Sequence, residues 1–238
     1  AFFAYPDLPS LLVPEDCQVH TLVGVDQNIP DALERLADVV GAKVVDAELQ
    51  ALERPSLMTG ELNAESIGAA IGHLMPENAI VSDESITSGR ALNSSTRGCP
   101  PHDWLVGTGG SIGRALPEAT GAAIACPDRP VLCLSGDGSA MYTVQALWTQ
   151  ARENLNVTTV IYDNRAYAIL HGELRNVGAT PGQTARDMFD IDRPVLDWVA
   201  ISRGLGVEAT RVTSAEEFNQ ALANSFVSEG PCLIDAVI

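Results

Sequence analysis

Val157–Tyr162 is the feature that most restricts how this chain folds: an apolar run of strand length, without a polar face, that stops at Asp163-Asn164. A strand with no polar face has to be covered on both sides, as an inner strand of a parallel sheet is. Val131–Ser135 is a second buried strand, and Gly136-Asp137-Gly138-Ser139 turns off its end. Between them, residues 140–152 carry Met141, Val144, Leu147, Trp148 and Ala151 on one helical face. The alternation extends both ways. Asn63 caps a helix bearing Ile67, Ala70, Ile71 and Leu74 that Pro76 stops, and Ala79–Ser82 and Trp104–Val106 follow as short strands. The Gly-rich segment Gly107–Gly113 opens a helix over Ala115–Ala125. Residues 171–194 read as a long loop, Leu196–Leu205 as a helix stopped by Gly206, and Ser214 with Glu217 as a capping box for a helix to Val227. Cys232–Ile238 is the last strand. Together these predict an α/β fold, a doubly wound, mostly parallel sheet with helices on both faces. Ligands of such sheets bind beyond the carboxyl ends of the strands.

The first 55 residues read differently. Gln18–Val25 is a strand candidate, residues 31–40 a helix with Pro30 in its first turn and Gly41 at its end, and Lys43–Ser56 a polar, weakly helical linker. A domain boundary is expected near residue 55, giving an N-terminal piece over 1–55 and a main domain over 56–238. The start, Ala1-Phe2-Phe3-Ala4-Tyr5-Pro6, reads as the interior of a longer chain.

Composition excludes several classes of function. The formal charge of −17, with no Lys/Arg-rich run to offset it, repels nucleic acid. No apolar run reaches the roughly 18 residues that a membrane span requires. The five cysteines are widely spaced without a CxxC, the pattern of reduced thiols in a cytoplasmic protein.

The chemistry is carried by one combination. Asp137 sits just past the strand 131–135 and Asn164 just past 157–162. One helix joins those strands, so they are expected to be parallel neighbours that bring both side chains to the same sheet edge. A carboxylate and an amide oxygen form a hard donor set suited to Mg²⁺, which leaves its other positions to phosphate or water. Gly136 and Gly138 allow close approach of the backbone, and Ser139 with the amides of the following helix favours a phosphate group. Singly, an Asp-Gly is a turn and an Asn after a strand is a cap. Their joint occurrence at these elements points to a metal-bridged anion.

Gly136-Asp137-Gly138-Ser139, followed by Asn164 27 residues after the Asp, resembles the cofactor motif of thiamine diphosphate (ThDP) enzymes. The match covers most of residues 56–238. Gly109-Gly110-Ser111-Ile112-Gly113-Arg114-Ala115-Leu116-Pro117 is similar to the Gly-rich segment of benzoylformate decarboxylases and acetolactate synthase large subunits. The resemblance implies that Asp137 and Asn164 are side-chain Mg²⁺ ligands and that Ala166 adds its backbone carbonyl. Gly136, Gly138, Ser139 and Thr87 would contact the diphosphate, with Tyr167 and Ala168 lining its pocket. Gly110 would present its carbonyl to the aminopyrimidine, and Ile112 would be the apolar residue that bends the cofactor into a V. These two are the catalytic candidates. Ile86 departs from the Thr of some relatives. The stretch Arg165–Leu174 lacks the Gln-Trp segment of acetohydroxyacid synthases.

The implied activity is that of a 2-oxo acid decarboxylase or carboligase. The family's activating Glu belongs to a pyrimidine-binding domain, and nothing here resembles that domain. Residues 1–55 look like the tail of the family's middle domain plus a linker. The chain is therefore expected to be inactive without the other half, in a homodimer or homotetramer whose sites form between chains. FAD, where such enzymes hold it, would lie in the middle domain. Two other readings stand beside this one: a subunit of a split two-chain decarboxylase, and a non-catalytic module that kept the fold. His102 and His171 flank the Gly-rich and Asn164 segments and are substrate-facing candidates; His20 and His73 read as structural or exposed.

Overall fold

The computed structural model describes residues 16–24, 26–43, 49–107, 109–180 and 182–238. Contacts divide the chain into two compact units, Ala1–Leu49 and Gln50–Ile238. In the first, α1 (Ile29–Val39) starts at Asn28, whose side chain accepts a hydrogen bond from the Asp31 amide, with Pro30 in the first turn. The strand expected at Gln18–Val25 does not form over residues 18–24, and Val25 lies outside the described residues. A strand needs a partner edge for its amides and carbonyls, and none pairs with this segment among the described residues. The weak helicity expected over 43–56 is absent from 49–56, and 44–48 lie outside the description.

The larger unit is built on six parallel strands: β1 (Ile80–Glu84), β2 (Asp103–Val106), β3 (Val131–Gly136), β4 (Val157–Asp163), β5 (Glu208–Val212) and β6 (Cys232–Val237). Their order is β2-β1-β3-β4-β6-β5. The chain leaves β1 toward β2 and returns on the other side to β3, so the order reverses between β1 and β3. A crevice opens there at the carboxyl ends. β3 and β4 are direct neighbours, with Gly136 opposite Tyr162.

Alternate strand residues feed two separate cores. On one face, Leu132, Leu134, Val160 and Ile234 pack with Ile67 and Ile71 of α2 (Ala64–Leu74). On the other, Val131, Cys133, Ile161 and Leu233 pack with Leu116 and Ala119 of the helix Ala115–Ala125, and with Leu147 and Trp198. Every residue of β4 is buried, as its lack of a polar face demands. α2 opens with a reciprocal capping box between Asn63 and Ser66. Its last carbonyls are met by Arg54, which donates to Gly72, His73 and Met75. Residues 50–55, assigned to the linker from sequence, therefore pack on this unit.

Several helices depart from expectation. α3 (Leu92–Thr96) follows β1, and α4 (Ala115–Ala125) follows β2. The helix expected over 140–152 is broken into α5 (Asp137–Ala140) and α6 (Ala146–Arg152), joined by tight turns in which Tyr142 N donates to Ser139 O and Leu147 N to Val144 O. Thr143 is pulled out of the helical ladder to donate its hydroxyl to Gly113 O at 2.8 Å. The break turns Met141 and Trp148 outward, 41% and 51% exposed, so they do not join the core face with Leu147. The loop expected over 171–194 contains two helices, α7 (Ala168–Asn176) and α8 (Gln183–Phe189). After α9 (Trp198–Gly204) comes β5, which sequence reading missed: only Ala209 and Val212 are buried, and Glu208, Thr210 and Arg211 are exposed. α10 (Ala215–Ser225) is capped by Ser214, whose hydroxyl accepts from Glu217 N.

Candidate cofactor site

The crevice between β1, β3 and β4 is the candidate site. Glu84, Ser85, Ile86, Thr87, Ser88, Ile112, Gly136, Asp137, Gly138, Ser139, Asn164, Ala166, Tyr167, Ala168 and Ile169 line one cleft there. Ten of the eleven cofactor-binding candidates named from sequence thus stand together. Gly110 does not: it lines an adjoining cavity of about 230 Å³ with Asp83, Gly107 and Arg114.

The two predicted metal-binding side chains are tied by one loop. Asp137, 1% exposed, accepts from Gly138 N at 2.7 Å and, on its other oxygen, from Arg165 N at 2.6 Å. Asn164 Oδ1 accepts from Ala166 N at 3.0 Å, and its Nδ2 donates to Ser88 Oγ at 3.1 Å. Arg165 turns the chain between them in the left-handed region (φ 56°). The loop is braced by Ile191 N and Tyr167 N, which donate to Arg165 O and Phe189 O at 2.8 Å each.

Burial leaves the charge of Asp137 poorly compensated and pushes its carboxyl up to about 7, against the two amide hydrogen bonds; the neighbouring Asp163 adds to the rise. Asp163 is itself buried, and its Oδ2 has no hydrogen-bond partner among the described residues. A pocket of negative charge that the protein's own donors do not neutralise fits a cation, and the oxygen donors are of the hard type that Mg²⁺ takes. A Cβ on Gly138 would stand 2.5 Å from Tyr167 Cε1, so any larger residue would have to displace the Tyr167 ring from its place against this turn. The helix dipole expected at this turn is weaker than anticipated, because α5 is a single turn and not the start of a long helix. Tyr167 has its hydroxyl pushed up, mainly by burial and then by nearby Tyr142 and Asp137.

Glu84, at the end of β1, is buried and structural. Its Oε2 accepts from Arg114 N at 2.8 Å and Ala115 N at 3.0 Å, capping α4, while Oε1 accepts from Ser135 Oγ at 2.6 Å. Ser88 went unnoticed in the sequence although it holds Asn164. The run of hydroxyls at Ser85, Thr87 and Ser88 just past a strand was the available signal. Neither His102 nor His171 lines the cleft: His102 Nδ1 meets Pro100 O at 2.7 Å, and His171 Nε2 meets Asp190 Oδ1 at 2.8 Å.

Residues 88–236 match the family described as thiamine pyrophosphate enzyme, C-terminal TPP binding domain. This chain belongs to that family. It is 54% identical over its whole length to a Mycobacterium tuberculosis protein named for an acetolactate synthase large subunit, IlvX, covering 46% of that protein. It is 33% identical over 78% of its length to a Pseudomonas aeruginosa benzoylformate decarboxylase, covering 35% of it. Among solved structures, a Rhodococcus jostii ThDP-dependent 4-hydroxybenzoylformate decarboxylase superposes on 87% of the chain with a TM-score of 0.69 and 30% identity, covering 38% of that chain. The chain thus spans about half or less of the length of these relatives. No described helix of this ThDP-family chain is long and apolar enough to cross a membrane.

Proposed function

We propose that this chain is the diphosphate- and Mg²⁺-binding half of a ThDP-dependent 2-oxo acid decarboxylase or carboligase. The observation that carries the reading is the convergence of Asp137 and Asn164 on one cleft, joined through Arg165 N. Asp137, Asn164 and the Ala166 carbonyl hold the ion. Gly136, Gly138, Ser139 and Thr87 bind the diphosphate, and Tyr167 and Ala168 close its pocket. Ile112, in the same cleft, would be the apolar residue that bends the cofactor, and Gly110, in the adjoining cavity, would offer its carbonyl to the aminopyrimidine. When bound, ThDP supplies the nucleophilic carbon and the electron sink that loss of CO₂ from a 2-oxo acid requires. The protein's share is to hold, bend and shield the cofactor. The proton-donating Glu comes from a pyrimidine-binding domain, so catalysis needs that domain in the same or another chain. Similarity to an acetolactate synthase large subunit and a benzoylformate decarboxylase supports a 2-oxo acid substrate.

Titration of ThDP with and without Mg²⁺ tests this reading. Affinity should be metal-dependent in the native protein, and Asp137→Ala should weaken it by at least about tenfold while the far-ultraviolet dichroism stays native. Equal affinity with and without the metal, or an unchanged Asp137→Ala, overturns the assignment. It would also favour a non-catalytic module.

A further inference from the structure

Beneath the Gly-rich loop lies a cluster that none of these roles uses. Arg114 directly follows that loop as the N-cap of α4, and its side chain is 17% exposed. Its guanidinium is pinned from two sides: one terminal nitrogen pairs with the Glu118 carboxylate and the other donates to Asp83 O at the end of β1. Glu118 is fixed in turn, accepting from Ser82 Oγ at 2.6 Å. The Arg114 backbone amide is held by Glu84 at 2.8 Å. The remaining nitrogen, Nε, is buried without a hydrogen-bond partner among the described residues and lies directly under Gly107. A Cβ at residue 107 would overlap it, with Cδ and Cζ 3.1 Å away. A free arginine would swing aside from such a contact. This one cannot do so without losing both of its partners. The cavity that holds Gly110 is walled by the same residues, Gly107, Ser111, Arg114 and Asp83.

We propose that Arg114 is a positioning residue: a rigid strut whose guanidinium supports Gly107 and so sets where the Gly110 carbonyl and Ile112 stand relative to the cleft. The inference rests on the ThDP reading above and adds to it a residue that touches neither metal nor diphosphate. A misplacement of about 1 Å at a reacting centre costs on the order of a hundredfold in rate, so a strut acts on the pyrimidine end and leaves the diphosphate end alone.

The test uses the enzyme complete with its pyrimidine-binding domain and two readouts: Mg²⁺-dependent ThDP affinity, and the rate at which the bound cofactor's C2 proton exchanges with deuterium. Arg114→Ala and Gly107→Ala should each slow exchange by about tenfold or more, with affinity changed less than about threefold. Gly107→Ala removes no charged group, so it remains informative if Arg114→Ala fails to fold. In the double variant the added methyl refills the space under the loop, and exchange should be faster than the product of the single effects, a coupling expected only of groups in contact. Native exchange in Gly107→Ala, or strictly multiplicative effects in the pair, overturns the strut. A native protein without metal-dependent ThDP binding overturns the underlying reading and the strut with it.

Discussion

Asp137 is held in a conflict that binding would relieve. Its folded carboxyl titrates near 7, chiefly through burial, against an ordinary value of 3.8. Between those values the folded metal-free protein binds more protons than the unfolded chain, so its stability should fall as pH rises through that window. Urea midpoints of metal-free protein at pH 5 and pH 8 should show this decline. Asp137→Asn should flatten it, and Mg²⁺ should restore stability mainly at the higher pH, where the carboxylate is free to bind. A native profile already flat over that range would show that the burial cost is met elsewhere. The same residue explains what could be read in advance. Asp137 and Asn164 were legible because each directly follows an unmistakable inner strand, so topology alone placed them at one edge. Ser88 was not, because which hydroxyl turns inward depends on Ile86 adopting a left-handed backbone (φ 49°), rare for a β-branched residue. That turn leaves Ile86 and Thr87 exposed and sends Ser85 and Ser88 inside.

At the scale of elements, periodicity located the strands and helices that carry the core and failed where burial does not decide. α2, α4, β3 and β4 announce themselves through residues that end up fully buried. α7 and α8 bury none, and their interruption by Gly172, Gly178, Pro181 and Gly182 resembles a loop. β5 hid because Arg211 leaves it to pair with Asp235 of β6 at 2.7 Å and with Asp197 at 3.1 Å, giving it the composition of a surface segment. Two substitutions of opposite sign check these assignments. Gly172 lies inside α7 with nothing within 4 Å of a Cβ built on it, so Gly172→Ala should stabilise by about 0.5–1 kcal/mol by restricting the unfolded chain. Asn63→Ala removes the side-chain half of the α2 capping box, the Oδ1 that accepts from Ser66 N at 3.0 Å, and should cost about 1 kcal/mol. Both are read as shifts in urea midpoint at constant slope. A loss of stability in Gly172→Ala would mean that the segment is not helical in solution.

For the whole molecule, the two cores have a consequence for what constitutes a folding unit. Both are assembled from Leu62 onward, one on each face of the sheet, and the polar contacts of the preceding segment begin with Glu53, whose amide donates to Gly98 O, and Arg54, which meets the last carbonyls of α2. α1, by contrast, buries none of its residues and leaves Ile29, Leu33 and Leu36 more than 40% exposed. An isolated helix of 11 residues is marginal in water whatever its sequence, since nucleation outweighs the few hydrogen bonds gained. Stability should therefore reside in Gln50–Ile238. A chain beginning at residue 50 should unfold in one cooperative step at the same urea midpoint as residues 1–238, with a slope in proportion to the surface its own cores expose. It should also keep the Mg²⁺ dependence of ThDP binding, because every residue of the cleft lies beyond residue 83. Removing Arg54 as well, by starting at residue 56, should lower the midpoint, because the last carbonyls of α2 lose their donor. A midpoint already depressed in the chain starting at residue 50 would show that the first unit contributes to the stability of the sheet.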